Sequence, residues 1–353
     1  MNRREFLGFA AAGIAGGAFA GAADLKAAAA TPAAAKKGQV KFCLFADIHY
    51  HPGVFPNDTP EFLEKILRRA EESKVDFVLH LGDFLHNPVK YKDYADRYND
   101  FHIPTFHTIG NHDNDGCTHE ETLEVYRMKS GHYYYDFNGF RFVVCDPNHV
   151  RYADGTIKHY SKGNYFKKTK DDKISYMPEE QIEWLKETLD RSPYPCVICS
   201  HQSFERERRG VPNFQAVRDV INAANRKHPG RVPFVLNGHE HIDNLRILDN
   251  ILYFDFNSAN YQYYGKTHDK YPAEFVKAHR AAPHTIAWTE PLSAIITMYA
   301  NGRIRIEGSK ADWLYGVTPV DAGFGAFEWD GTGRVTHPEV QSADITLNFG
   351  AKS

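Results

Sequence analysis

The chain has 353 residues, 42% of them hydrophobic, and a formal net charge of −3 at pH 7. That length and apolar content bury a large core without help from disulfides or a partner. Charge so near balance gives no electrostatic ground for a stable nucleic-acid complex or a membrane-surface binder, so a small anionic substrate has to be held by local charge.

At the amino terminus, Asn2-Arg3-Arg4-Glu5-Phe6-Leu7-Gly8 pairs two arginines with a Phe-Leu and leads into an Ala/Gly run up to Ala20. This stretch resembles a bacterial twin-arginine export signal, with Ala18-Phe19-Ala20 as its cleavage triplet. The run is short and weakly apolar beside the ~20 residues a membrane span needs, so no transmembrane anchor is expected after processing. Residues 21–37 are Ala-rich and read as a tether, which sets residues 1–37 apart from the fold. The twin-arginine export machinery carries folded proteins. The chain is therefore expected in the periplasm or outside the cell, with any metal taken up before it leaves the cytoplasm.

Residues 40–46 read as a buried strand that delivers Asp47 and His49. Thr59 and Pro60 make a helix cap and first helical position, and Phe62, Leu63, Ile66, Leu67 and Ala70 then recur at helical spacing. Residues 75–81 form the next strand, which stops at Gly82 and presents Asp83. A polar loop rich in Tyr and Asp follows, and residues 103–109 lead to Gly110-Asn111-His112-Asp113. Residues 133–136 and 140–145 flank Asn138-Gly139, a strong hairpin signal. From residue 148 to 176 the chain is polar and aromatic, with Lys158, Lys162, Lys167, Lys168 and Lys170 outnumbering its acids. It reads as a long functional or mobile loop whose lysines or tyrosines either meet substrate or stay solvated.

Pro178, Glu179 and Glu180 open a helix lined by Ile182, Leu185 and Leu189, with acids where the helix dipole favours them. Residues 195–200 deliver His201; Asn213 caps a helix with Phe214, Val217, Ile221 and Ala224 inward; residues 232–236 deliver His239 and His241. A strand at 251–256 and a hairpin turning at Asn301-Gly302 come next, and the remainder to Ser353 is strand-like and Gly-rich. Strands alternating with helices predict an α/β domain over 38–310, with a β-rich extension, 311–353, packed on it. Of the five cysteines, four lie in strand-like runs as small core hydrophobes. Cys196 and Cys199 fall on opposite faces of one strand and make no zinc knuckle, and the odd count argues against a full disulfide framework.

Five predicted strand ends thus present Asp47, His49, Asp83, Asn111, His201, His239 and His241. Seven hard or borderline ligands exceed what one divalent ion takes from a protein. Two ions sharing one carboxylate use all seven, with Asp83 as the bridge. Asp47 and His49 are two apart, as are His239 and His241, and in extended backbone that spacing aims both side chains the same way. Asn111 and His112 are adjacent and point apart, so one can bind metal while the other faces substrate. Four imidazoles and an amide beside two carboxylates leave the ion pair net positive, which favours a phosphoryl group and a bridging hydroxide. Taken singly, each motif is more often a turn or a cap; five in order at strand ends are not explained that way.

In its order, Asp47-x-His49, Gly82-Asp83, Gly110-Asn111-His112-Asp113, His201, Gly238-His239-x-His241 resembles the calcineurin-like metallophosphoesterase superfamily, over roughly residues 40 to 260. The resemblance implies a sandwich of two mixed sheets flanked by helices. It also implies that Asp47, His49, Asp83 and His241 hold one ion while Asp83, Asn111, His201 and His239 hold the other. In the same terms His112 aids departure of the leaving oxygen and Asp113 orients it. Residues 133–146 followed by Gln181-x-x-Trp184-Leu185 are similar to the bacterial phosphodiesterases and purple-acid-phosphatase relatives. His86 stands where purple acid phosphatases carry a tyrosine, so an iron-tyrosinate colour is not expected. Gly82-Asp83-Phe84-Leu85-His86 is similar to the double-strand-break exonucleases, against which the export signal and near-neutral charge count.

The resulting expectation is an exported binuclear metal-dependent hydrolase of phosphoester bonds, acting on a small phosphorylated substrate through a metal-bridging hydroxide. The ions are Mn, Fe or Zn, since imidazole and carboxylate accept all three. Phosphodiesters or nucleotide-type diphosphates are favoured because the aromatic segments 133–135 and 261–264 could stack a base. A phosphomonoesterase, a nuclease and a non-catalytic binding protein on the same fold are the alternatives, and no ligand is missing as the last would require. His86 and His51, close in sequence to ligands, either line the site or stay outside it; His102, His107, His119, His228 and His284 read as ordinary.

Overall fold

Alternation along the first strand sets the architecture. In β1 (Gln39–Phe45), Val40, Phe42 and Leu44 enter one core while Cys43 and Phe45 enter another, because successive side chains leave a strand on opposite faces. Helix α1 (Pro60–Glu72) lays Phe62, Leu63, Ile66, Leu67 and Ala70 on the second face. Each such side chain contributes about 1.5–3 kcal/mol when fully buried. The same alternation recurs in β2 (Phe77–His80), where Phe77 and Leu79 face one core and Val78 the other.

This computed structural model describes residues 38–57, 59–323 and 336–348, all within one unit, 35–353. The expected export signal and tether lie outside the described residues, as do 324–335 and 349–353 of the C-terminal extension. After β2 come α2 (Lys92–Asn99), β3 (Thr105–His107), α3 (His119–Val125), β4 (Tyr133–Phe137) and β5 (Phe140–Val144). Next are β6 (His149–Arg151), β7 (Ile157–His159), β8 (Lys173–Ile174), α4 (Glu179–Arg191), β9 (Cys196–Ser200), α5 (Phe214–Lys227) and β10 (Phe234–Asn237). The chain continues through β11 (Asn244–Leu248), β12 (Ile251–Asp255), β13 (Tyr261–Tyr263), α6 (Ala273–Ala278), β14 (Thr285–Ala287), β15 (Ala294–Tyr299), β16 (Arg303–Glu307) and β17 (Ala343–Thr346).

Two six-stranded mixed sheets result, ordered β17-β16-β15-β1-β2-β3 and β11-β12-β10-β9-β5-β4. Strands β1, β2 and β3 run parallel, as do β12, β10, β9 and β5, and the outer strands join them antiparallel. Phe42, Phe77, Phe142, Val197, Leu236 and Phe254 fill the space between the sheets. Helices α1 and α2 cover the outer face of the first sheet, and α4 and α5 that of the second, through Leu185, Leu189, Val217 and Ile221. The fold is the expected two-sheet sandwich flanked by helices. Asn138 (φ 48°) and Gly139 (φ 90°) turn the β4–β5 hairpin as their residue types allow. All five cysteines are free and buried, with Cys199 in the inter-sheet core and Cys196 against the helices.

Three differences from the sequence reading bear on the site. The polar stretch after Asp83 contains α2, whose Tyr94, Ala95 and Tyr98 form a buried stripe; tyrosines supply that stripe in place of aliphatic residues. Residues 148–176 are not an irregular loop. They form a three-stranded antiparallel sheet, β7-β6-β8, over a small core of Val150, Tyr160 and Tyr165. Of the extension, the described part contributes one strand, β17, on the edge of the first sheet. Among the described residues, no helix is long and apolar enough to cross a membrane.

Candidate metal centre

The seven expected ligands follow the C-terminal ends of β1, β2, β3, β9 and β10, where the parallel strands of both sheets meet. Five of them, Asp47 (φ 53°), His49 (φ 50°), Asp83 (φ 51°), His239 (φ 72°) and His241 (φ 54°), have left-handed backbone. The two-apart pairs therefore converge through kinked turns, not through the extended backbone that their spacing predicts. Left-handed conformations at non-glycine residues cost on the order of 1–3 kcal/mol each, and they concentrate here at one point. Gly110 makes the approach possible: a Cβ on it would lie 2.2 Å from both the amide nitrogen and Oδ1 of Asp83.

Asp83 sits between two sets of imidazoles. Its Oδ2 lies 3.0 Å from His201 Nε2 and 3.6 Å from His49 Nε2. On one side, His241 Nε2 is 3.2 Å from Asp47 Oδ1 and 3.1 Å from His49 Nε2. On the other, His239 Nδ1 is 3.2 Å from His201 Nε2. Two ligand groups result, Asp47–His49–His241 and Asp83–His201–His239. A tetrahedral ion with bonds of ~2.0–2.1 Å holds its ligand atoms about 3.3 Å apart, close to these separations.

The donor set suits cations. His201 Nδ1 bonds to the Leu81 carbonyl at 2.6 Å and His241 Nδ1 to the Tyr261 carbonyl at 2.6 Å. Each ring therefore turns Nε2 toward a buried carboxylate, an approach that is repulsive unless a proton or a metal ion lies between. Asn111 adds a buried Oδ1 with no hydrogen-bond partner, the atom that would bind metal. Burial works against the charge on Asp83, yet His201 and His112 hold its carboxyl well below the usual carboxylate range. Burial likewise opposes charge on His201, but Asp83 and Asp47 raise it to about 9. His49 is pushed down to about 4, mainly by burial, and stands ready as a neutral ligand.

His112 borders this cluster. Its backbone N–H donates to Asp83 Oδ1 at 2.8 Å, and its Nδ1 bonds to Asp115 Oδ2 at 2.6 Å. Asp113, to which the resemblance assigns the orienting role, does not touch the ring. Its carboxylate accepts from the amides of Asp83, Phe84, Leu85 and Gly110 and from the Tyr126 hydroxyl. The reason lies in the 3₁₀ turn at His112–Asn114, in which residues three apart eclipse, so that Asp115 falls over His112 and Asp113 points into the protein. Although burial opposes it, Asp83 and Asp115 raise His112 to about 9.

A family model for calcineurin-like phosphoesterases matches residues 40–243, a span that contains every one of these side chains. The chain belongs to the calcineurin-like phosphoesterase family. Among solved structures, a dimetal phosphatase from Danio rerio is similar at a TM-score of 0.54 and 15% identity, over 87% of this chain and 99% of that one. At that identity the likeness is one of fold. The GAP50 anchor in the inner membrane complex of Plasmodium follows at a TM-score of 0.47 and 11% identity, over 90% of each chain. A putative 5'-nucleotidase from Staphylococcus aureus has a TM-score of 0.42 and 12% identity, over 83% of this chain and 56% of its own. No curated protein sequence matches the chain.

Within this calcineurin-like frame, three residues that motif spacing did not single out as site members join the site. Asp115 has no motif of its own beyond its place three residues after His112. Tyr165, from the segment 148–176, donates to Asp115 Oδ1 at 2.6 Å and accepts from Asn111 Nδ2 at 3.3 Å. His86 Nε2 lies 2.9 Å from His49 Nδ1, and its Nδ1 is 3.3 Å from Asp115 Oδ2, so this ring joins a ligand to the partner of His112. His51 packs behind it at 5.0 Å between ring centres. The aromatic segment 133–135 does not face the site: Tyr135 stacks on Phe106 and Phe142 in the core. Tyr261 does abut it, 5.3 Å from the rings of both His49 and His241.

Proposed function

We propose that this calcineurin-like phosphoesterase is an exported two-metal hydrolase of phosphodiesters or nucleotide-type diphosphates, working in the periplasm or outside the cell. The observation that carries the reading is the placement of Asp83 between two imidazole sets with His112 at their border. One ion would be held by Asp47, His49, Asp83 and His241, the other by Asp83, Asn111, His201 and His239. Bound there, Mn, Fe or Zn supplies Lewis acidity toward phosphoryl oxygens and toward water.

The chain's own groups do the rest. The Asp115 carboxylate on Nδ1 favours the protonated form of His112. Because Nδ1 is committed to Asp115, the transferable proton is on Nε2, and it goes to the departing alkoxide or phosphate oxygen. Tyr165 and His86 hold Asp115 in place. Phe55, 5.8 Å from the His49 ring, and Phe166, 64% exposed and 6.4 Å from His112, are the rings placed to take a base. The resemblance of the amino-terminal stretch to a twin-arginine export signal supports the periplasmic or secreted location, and the near-balanced charge supports a small phosphorylated substrate.

The test is a screen of the metal-reconstituted chain against mono-, di- and pyrophosphate esters. Turnover is expected on phosphodiesters or nucleotide diphosphates, with Phe166→Ala raising KM for nucleotides and leaving methyl aryl phosphodiesters unaffected. A metal-loaded chain that turns over no phosphoester refutes the reading.

A further inference from the structure

A second cluster of histidines lies outside the calcineurin-like centre. His119, the first residue of α3, His159, the last of β7, and Asp146, just past β5, bring ligand atoms within 4.8 Å of one another. His119 Nε2 is 3.8 Å and His159 Nδ1 is 3.9 Å from Asp146 Oδ2. These distances are too long for hydrogen bonds, and Asp146 Oδ2 and His159 Nδ1 are both buried without a partner. A fourth imidazole, His149 at the start of β6, lies 3.9 Å from the His159 ring between centres, and its Nδ1 is likewise buried and unpartnered.

The carboxylate is built to face these rings. Asp146 is 0% exposed. Its Oδ1 is satisfied by the backbone and side-chain nitrogens of Asn148, at 3.0 and 2.7 Å. Its backbone is clamped by Gln181, which accepts from the Asp146 N–H and donates to its carbonyl. Oδ2 alone is left over, aimed into the cluster. Gly131 keeps the near side clear, since a Cβ there would lie 2.1 Å from Oδ2. A buried carboxylate oxygen without a partner is costly, and an ion on the imidazole nitrogens and Oδ2 removes that cost. An all-nitrogen-and-oxygen set of two or three imidazoles and one carboxylate suits zinc or a similar divalent ion. Closing the two imidazole–carboxylate separations, 3.8 and 3.9 Å, by roughly half an ångström brings them to the tetrahedral spacing of about 3.3 Å.

We propose that His119, Asp146 and His159 form a separate mononuclear zinc-class site, with the His149 ring packed against that of His159. Its place in the fold assigns the role. His149 and His159 belong to the three-stranded sheet of residues 149–174, whereas His119 and Asp146 belong to the sandwich. The ion pins that sheet, and with it Tyr165, over the two-metal centre. Asn148 joins the two sites, donating to the Ile109 carbonyl at 2.7 Å and accepting from Gln202 Nε2 at 2.8 Å.

The experiment counts zinc. A full-length chain carrying Asp47→Asn and His239→Ala, which disables the two-ion set, is expected to keep one tightly bound zinc after gel filtration. Adding His159→Ala removes it. His159 has a side chain 42% exposed, so its loss is expected to leave the melting temperature of the zinc-free chain unchanged. In the otherwise wild-type chain, His159→Ala lowers the zinc stoichiometry from three to two, and zinc no longer protects residues 149–176 from protease. A wild-type chain holding one zinc, lost with His159→Ala, supports this site and sinks the two-ion reading. Absence of zinc from the disabled chain, or equal zinc with and without His159, overturns the proposal.

Discussion

Replacing Asp115 by Asn tests the proposed role of His112 as general acid separately from the stability of the fold. Asp115 accepts from His112 Nδ1 at 2.6 Å and Tyr165 at 2.6 Å, and lies 3.3 Å from His86. Despite burial, these donors hold its carboxyl at about 2, below the ordinary 3.8. The difference corresponds to a net of roughly 2 kcal/mol in favour of the charged carboxylate after burial has been offset. With a charge-assisted hydrogen bond contributing about 1.5–3 kcal/mol, Asp115→Asn is expected to lower kcat by about 10- to 100-fold. The loss should grow as the leaving group becomes more basic, because a poor leaving group depends more on proton donation. The sign of the pH effect follows from the same charge. Asp115 helps to raise His112 above its ordinary value; removing that charge lowers the pH up to which the acid form persists and moves the alkaline fall in kcat to lower pH. The assay is a series of aryl and alkyl phosphodiesters with metal content measured alongside. Asp113→Asn serves as the contrast. With five donors on its carboxylate, it is expected to destabilise the chain by about 1–3 kcal/mol. If Asp115→Asn left alkyl esters unaffected, or if Asp113→Asn lowered kcat selectively without lowering Tm, the division of roles would be refuted.

Asn111→Ala and His112→Ala should differ: the first weakens occupancy of one ion, whereas the second keeps both metals and loses rate mainly on poor leaving groups. If metal analysis shows an empty site in His112→Ala, His112 is a ligand and not the acid. Gly110→Ala forces a methyl onto the Asp83 amide and carboxylate and is expected to cost about 1–3 kcal/mol, with metal lost as well; metal content and Tm at wild-type levels would show that the close approach is not required. Metal uptake should release protons at neutral pH, because His201, at about 9, must shed its proton to bind, whereas His49, at about 4, is already neutral. Affinity should therefore rise as pH rises toward 9, and calorimetry in buffers of different ionisation enthalpy that found no proton release would contradict this.

Much of the molecule is legible from local chemistry. Period-two burial in β1 and the helical stripe of α1 follow from residue spacing alone, and Asn138-Gly139 turns its hairpin because both residues tolerate positive φ. The metal-ligand candidates were legible for a related reason: each occupies the end of a strand that its own segment specifies. The tyrosine stripe of α2 and the small sheet at 149–174 were not, because each is stabilised by side chains distant in sequence. Tyr98 bonds to the Val78 carbonyl, and His159 meets Asp146 and His119.

The sequence by itself determined which residue types reach the strand ends, and in what order, since periodicity and turn chemistry act over a few residues. Only the tertiary structure decided how those side chains meet. The ligand pairs converge through left-handed turns, Asp115 takes the place of Asp113 beside His112, and Tyr165 and His86 close around them. These outcomes depend on distances between segments far apart in the chain, such as those of His49 and His241, 192 residues apart, which only the packed sheets set.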